Sequence, residues 1–124
     1  MTSQKLDDYK EVVGEESISQ LYRLAEPLRG RSVVHVNSTR SGGGVAEILD
    51  WLIALMIDAG LEASWEVIEG DAPFFTATKK IHNALQGFRE DFDKKDVLAY
   101  EEVQQKNAKM LREKLEEADF VFIH

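Results

Sequence analysis

The run Val33-Val34-His35-Val36-Asn37-Ser38-Thr39-Arg40-Ser41-Gly42-Gly43-Gly44-Val45-Ala46-Glu47 decides the fold. It reads as a short buried strand, a polar turn with three consecutive glycines, and the first turn of an apolar helix. A strand–loop–helix unit of this kind sets backbone N–H groups and a helix N-terminus at the edge of a parallel sheet. Such a loop takes an anion or a hydroxylated ligand without needing a charged side chain. Its glycines let ligand and backbone approach closely and admit positive φ at little steric cost.

Working outward, the helix that the loop opens runs from Val45 to Ala59, with Gly60 in the capping role at its end. It is apolar almost all round (Val45, Ile48, Leu49, Trp51, Leu52, Ile53, Leu55, Met56, Ile57), interrupted by Glu47, Asp50 and Asp58. Such a helix is buried on more than one face or packs against something outside the chain, and it is too short and too charged to span a bilayer. Upstream, Ile18, Leu21, Tyr22, Ala25 and Leu28 recur at three- and four-residue steps, predicting a helix from Glu15 to Leu28 that Pro27 and Gly30 stop.

Downstream, Glu62 to Glu69 alternates as a second strand, with Ala63, Trp65 and Val67 on one face. Pro73 suits the start of a helix from Phe74 to Gln86. A long amphipathic helix is predicted from Asp96 to Ala118, its inner stripe being Val97, Tyr100, Gln104, Ala108, Leu111, Leu115 and Ala118. Phe120-Val121-Phe122-Ile123 is a near-continuous apolar run of the kind found in central parallel strands.

Three strands separated by helices predict an α/β fold: a partial Rossmann-like, three-layer domain with a short parallel sheet flanked by helices. The first strand is expected in the middle, so the switch in strand order falls between the ends of strands one and three. Those ends carry the glycine loop and His124. Open α/β sheets bind their ligands at such a switch point. Residues 1–13 are expected to be a polar arm and 14–124 the partial domain.

Composition narrows the function. The 124 residues are 44% hydrophobic and 31% charged, as in a globular protein. The net charge of −8, from 23 acidic against 15 basic residues, disfavours nucleic acid. Without cysteine there is no disulfide, zinc–thiolate or thiol chemistry. The polar, acidic stretch from Met1 to Glu16 is unlike a signal peptide, which makes the cytoplasm the default expectation. The three histidines share no helical i, i+4 spacing and have no partner cysteines, so no metal site is expected; no cofactor is expected either. A dinucleotide fingerprint is disfavoured because Glu47 stands where the third glycine of the pattern belongs. His35, two residues before Asn37 on the same strand face, reads as a hydrogen-bonded core histidine. Lys79, His82 and Asn83 are neighbours on one helix; they suit sugar hydroxyls or are simply a polar helix face.

Several of these motifs occur together in one family. His35-Val36-Asn37-Ser38-Thr39, Gly42-Gly43-Gly44-Val45-Ala46-Glu47 and Trp65-Glu66-Val67-Ile68-Glu69-Gly70-Asp71 are followed by Phe74-Phe75 and Thr78-Lys79-Lys80-Ile81-His82-Asn83-Ala84-Leu85-Gln86-Gly87. In that order, across roughly Asp8 to His124, they closely resemble the trehalose synthases of the glycosyltransferring type, retaining glycosyltransferases of family four with the GT-B fold. The resemblance implies transfer of a glucosyl unit from a nucleotide-diphosphate glucose to glucose. It implies an N-terminal Rossmann-like domain that holds the acceptor and a separate C-terminal domain that holds the donor. It also implies that the family's pattern continues past His124 with aspartate, proline and glutamine, so that this chain is a fragment, inactive without the donor domain.

On the same basis His124 lies beside the reacting sugar as the catalytic candidate. Asn37, Ser38, Gly42, Gly43, Gly44, Val45, Glu47, Lys79, His82 and Asn83 are the substrate-binding candidates. The chain is expected to form a homodimer or higher homo-oligomer through its apolar helix faces or edge strands. The alternative function is a small self-associating α/β module that binds a sugar or phosphate at the Gly42–Gly44 loop. No membrane partner is expected.

Overall fold

The computed structural model describes residues 4–124, so residues 1–3 of the expected polar arm lie outside the described residues. The chain divides into two compact units, one of residues 1–67 with 114–124 and one of residues 68–113.

The first unit holds a three-stranded parallel sheet. Its strands are β1 (Ser32–Asn37), β2 (Glu62–Val67) and β3 (Phe120–Ile123), in the order β2-β1-β3. The expected α/β fold with the first strand central is therefore present, as an open parallel sheet flanked by helices. In β1 the residues from Val33 to Asn37 are all buried, as a strand with neighbours on both sides and packing on both faces requires. Helix α3 (Gly44–Asp58) forms the crossover from β1 to β2. Its Ala46, Leu49 and Ile53 pack with Trp65, joined by Leu52, Ala63 and Val67. On the other face Lys114 makes an ion pair with Glu66 of β2.

Before the sheet come a 3-10 turn (Leu6–Tyr9), α1 (Lys10–Val13) and α2 (Glu15–Ala25). The end of α3 ties them down: Asp58 Oδ2 accepts from the Leu6 N–H at 2.9 Å and from the Tyr22 hydroxyl at 3.1 Å. The helix predicted to reach Leu28 stops at Ala25 and gives way to a 3-10 turn, Glu26–Leu28. Pro27 lacks the N–H that a further α-helical turn requires.

The second unit contains α4 (Ala72–Leu85) and most of α5 (Lys94–Glu117). Asp71 caps α4 by accepting the Phe74 N–H at 3.0 Å, and Pro73 occupies its first turn. Phe74 packs on Tyr100 with ring centroids 5.9 Å apart.

The inner stripe of α5 differs from the expected one. Asp96, Val103, Asn107 and Leu111 are the buried positions, while Val97, Gln104 and Ala108 are exposed. Two of the buried residues are polar but fully engaged. Asp96 pairs with Lys80 at 2.7 Å and accepts the Asp93 N–H at 3.0 Å. Asn107 accepts the Glu69 N–H at 2.8 Å and donates to the Glu69 and Val103 carbonyls at 2.7 and 2.8 Å. Buried polar groups with complete partners look like surface residues to a hydropathy pattern.

β3 also departs from its composition. The run that reads as a central strand is at the sheet edge, and Phe120, Val121, Phe122 and Ile123 are 40% to 70% exposed.

Candidate functional site

The carboxyl ends of the three parallel strands lie together, as parallel pairing demands, and the register places specific side chains there. His35 pairs with Trp65 on one side and with Phe122 on the other. Paired residues in a sheet share a face, and so do residues two apart on one strand. His35, Asn37, Trp65, Phe122 and His124 therefore occupy one face at one end of the sheet.

Asn37 ends β1 and is buried. Its Oδ1 accepts the Trp65 Nε1–H at 2.7 Å, across a separation of 28 residues. That bond uses the carboxamide oxygen and leaves Nδ2 as the donor not engaged by any described residue. Trp65 in turn anchors the loop that follows β1. The Arg40 guanidinium lies over the indole at 4.2 Å, and its Nη2–H donates to the Trp65 carbonyl at 3.2 Å. A second device shapes the turn: Thr39 Oγ1–H donates to the Ser41 carbonyl at 2.6 Å. Ser38, between these anchors, is exposed.

Gly43 precedes α3 with φ of 97° and ψ of 153°, and Gly42 also has positive φ, 76°. L-residues are strained in that region, so the turn selects glycine for its backbone. No side chain caps α3. The first-turn N–H groups of a helix lack intrahelical partners and carry the positive end of its dipole. A Cβ built at Gly42, Gly43 or Gly44 meets nothing within 4 Å, so this backbone faces open space. Val45 and Glu47, in the first turn, are exposed.

His124 follows β3, and its N–H donates to the Val36 carbonyl at 2.9 Å, extending the ladder by one residue. Its Nε2 is 3.0 Å from Nδ1 of His35. The rings are stacked, with centroids 5.3 Å apart and planes inclined by 13°. Phe122 stacks on His35 as well, at 4.8 Å and 9°. Burial pushes the His35 imidazole below its ordinary value, and the neighbouring His124 adds to the shift. His35 is thus the hydrogen-bonded core histidine expected of it, and its partner is the candidate catalytic residue.

Lys79, His82 and Asn83 belong to the second unit, on α4. Lys79 and His82 are exposed. Asn83 Nδ2–H donates to Glu90 Oε1 at 2.6 Å, so one of its two polar atoms is already engaged within the unit. No group of three or more His, Cys, Asp or Glu side chains able to hold a metal ion occurs among the described residues.

Trp65 and Arg40 were not among the site residues expected from sequence. The alternation of β2 put Trp65 on an inward face, but its bond to Asn37 depends on the β1–β2 register. Nothing in the spacing of Arg40 marks it.

The comparisons with known proteins identify the family. Residues 35–124 match the family model for the trehalose synthase N-terminal domain. The chain is 46% identical over 119 residues to a trehalose synthase of Rubrobacter xylanophilus, covering 96% of this chain and 29% of that protein. It is 47% identical over 123 residues to a trehalose synthase of Pyrococcus horikoshii, covering 97% and 29%. A trehalose phosphorylase of Grifola frondosa is 32% identical over 84 residues, which is 66% of this chain and 12% of that protein. The chain spans less than a third of the length of the trehalose synthases it matches. Matched through β1, the glycine loop, α3, β2 and on to His124, the chain belongs to the family of trehalose synthase N-terminal domains.

Proposed function

We propose that this chain is the acceptor-side part of a trehalose-forming glycosyltransferase, with residues 14–124 as the Rossmann-like domain behind an arm of residues 1–13. The observation that carries the reading is the face at the carboxyl end of the sheet. There Asn37, the uncapped N-terminus of α3 and His124 gather at the switch point where open α/β sheets take their ligands. In the proposed reaction a glucosyl unit passes from a nucleotide-diphosphate glucose to glucose with retention. The chain's own groups would bind and orient the sugar. The Gly42–Gly44 backbone, Ser38 and the α3 N-terminus offer donors to hydroxyl or phosphate oxygens, and Asn37 Nδ2 adds another. His124, at the tip of β3, would hydrogen-bond a hydroxyl beside the reacting carbon. Val45 and Glu47 would line the same loop; Lys79, His82 and Asn83, in the second unit, are by themselves a set of groups suited to sugar hydroxyls. Placement and fixed dipoles of this kind account for most of the acceleration where charge spreads over an oxocarbenium-like centre.

The test is a titration of the isotopically labelled chain with glucose and with trehalose, followed by amide chemical shifts. Binding is expected at about millimolar affinity, some −4 kcal/mol, because half a cleft offers few contacts. Shifts should cluster at Asn37–Glu47 and His124. Shifts produced by NAD and not by sugars would overturn the reading in favour of a dinucleotide site. The chain by itself should form no trehalose from nucleotide-diphosphate glucose and glucose, and product above a no-protein blank would contradict the acceptor-side role.

A second reading, self-association into a homodimer or higher homo-oligomer, is favoured by the outer face of α3. Val45, Ile48 and Trp51 are 41% to 62% exposed there, and burying one such side chain contributes about 1.5–3 kcal/mol. No helix among the described residues is long and apolar enough to cross a membrane, and a cytoplasmic setting belongs to the same proposal.

A further inference from the structure

The His35–His124 pair is a joint between the core and the ligand end of the sheet, and it contains more information than either residue alone. His35 is 3% exposed and held between β2 and β3 by its backbone pairing. Phe122 covers its ring at 4.8 Å, and His124 stacks at 5.3 Å. His35 Nδ1 and His124 Nε2 are 3.0 Å apart, a hydrogen-bond distance that requires one proton between them. The opposite nitrogen, His35 Nε2, is buried and has no partner among the described residues.

Two neutral arrangements satisfy the contact. If His124 Nε2–H donates, His35 must accept at Nδ1 and carry its proton on Nε2, leaving a buried N–H with nothing to bond. If His35 Nδ1–H donates, Nε2 is a bare lone pair and no donor is orphaned. Unpaired buried N–H groups are the rarest defect in native structures, rarer than unpaired acceptors. A doubly protonated His35 would orphan the same N–H and bury a charge as well.

We infer that His35 is a positioning residue for His124: its Nδ1–H donates to His124 Nε2, so that His124 holds its own proton on Nδ1. His124 then meets a ligand only as a donor from Nδ1, selecting an oxygen lone pair such as that of a sugar hydroxyl. That consequence rests on the proposed acceptor-side function; the assignment of the proton does not. Along the sequence the two histidines read separately, one as core and one as site. Their register on adjacent strands makes them one unit.

Long-range proton–nitrogen correlation of the imidazoles in the full chain tests this, at pH about 8.5, two units above the ordinary histidine value of about 6.5. His82 is exposed, with no side-chain hydrogen bond among the described residues, and serves as the internal standard for a free ring, which favours the Nε2–H form. In the wild-type chain His35 and His124 should both show a protonated Nδ1 and a bare Nε2. His35→Asn, whose amide nitrogen takes the position of Nδ1, should preserve the His124 pattern. His35→Phe keeps a ring to stack on Phe122 but has no donor, and His124 should revert to the pattern of His82. An Nε2–H pattern for wild-type His124, or an unchanged Nδ1–H pattern in His35→Phe, would overturn the inference. The wild-type spectrum decides the matter even where a variant fails to fold. A protonated Nδ1 on His124 that ignores added glucose would count against the acceptor-side function while leaving the His35 assignment standing.

Discussion

The bond from Trp65 Nε1–H to Asn37 Oδ1 should couple β2 to the carboxyl end of β1 by a measurable energy. Both residues are buried and the bond is 2.7 Å long. Trp65→Phe retains an aromatic ring against Leu49 and Ile53 but removes the donor. The Asn37 carboxamide oxygen is then left inside without a partner, which costs about 1–3 kcal/mol. Arg40 loses part of its aromatic platform, which adds about 0.5–1 kcal/mol. Asn37→Ala orphans the indole N–H instead, at a similar cost. The double variant leaves neither group unsatisfied, so it should be less destabilised than the sum of the two by about 1 kcal/mol. The assay is urea unfolding followed by far-ultraviolet circular dichroism, since Trp65→Phe removes one of the two tryptophans and would change a fluorescence signal by itself. With an m-value of about 2 kcal/mol/M, a loss of about 2 kcal/mol moves the midpoint down by about 1 M. A coupling energy within about 0.3–0.5 kcal/mol of zero would mean that the two groups act independently, and would refute the reasoning.

Acid stability should report on the start of β3. The carboxylate of Asp119 accepts the Ser32 N–H at 2.8 Å and the Arg31 guanidinium at 2.7 Å, and these bonds hold it below the usual carboxylate range. A depressed folded-state value contributes stability that is complete above the unfolded value of about 3.9 and disappears as the pH falls through the folded one. Urea midpoints measured from neutral pH down into that range should therefore fall less steeply in Asp119→Asn than in the wild type, and equal slopes would contradict the assignment. Self-association through the outer face of α3 should appear in sedimentation equilibrium, with Ile48→Glu moving the population toward monomer. Ile48 is 62% exposed, so the change tests the surface and leaves the core intact. A wild-type chain that stays monomeric at high micromolar concentration would remove that reading.

Much of the fold is legible in the sequence because local periodicity and covalent order carry it. The alternation of β2, the apolar run before His124 and the turn residues around α3 specify the elements. The right-handed rule for parallel crossovers limits the strand orders without choosing one; the strand pairing puts β1 in the centre, where it is expected. The glycine turn before α3 is local chemistry too, since positive φ at Gly42 and Gly43 is a property of the residue type. Misread parts share one cause. Asp96 and Asn107 are buried because Lys80, Asp93, Glu69 and Val103 satisfy them, and a hydropathy stripe cannot represent a polar group whose partners are distant. Phe120–Ile123 has the composition of a central strand, yet its exposure depends on which neighbours it has, and a neighbour is not a property of the run itself.

The sequence alone determined the strand–glycine turn–helix unit, the alternation of strands and helices that makes the fold α/β, and the family resemblance, since each rests on residues close together in the chain. Only the tertiary structure decided that Trp65 holds Asn37, that Arg40 pins the loop, and that His35 and His124, 89 residues apart, share a proton. Those contacts follow from strand register. A shift of a single residue would turn each side chain to the opposite face of the sheet, so they exist only once all three strands are paired.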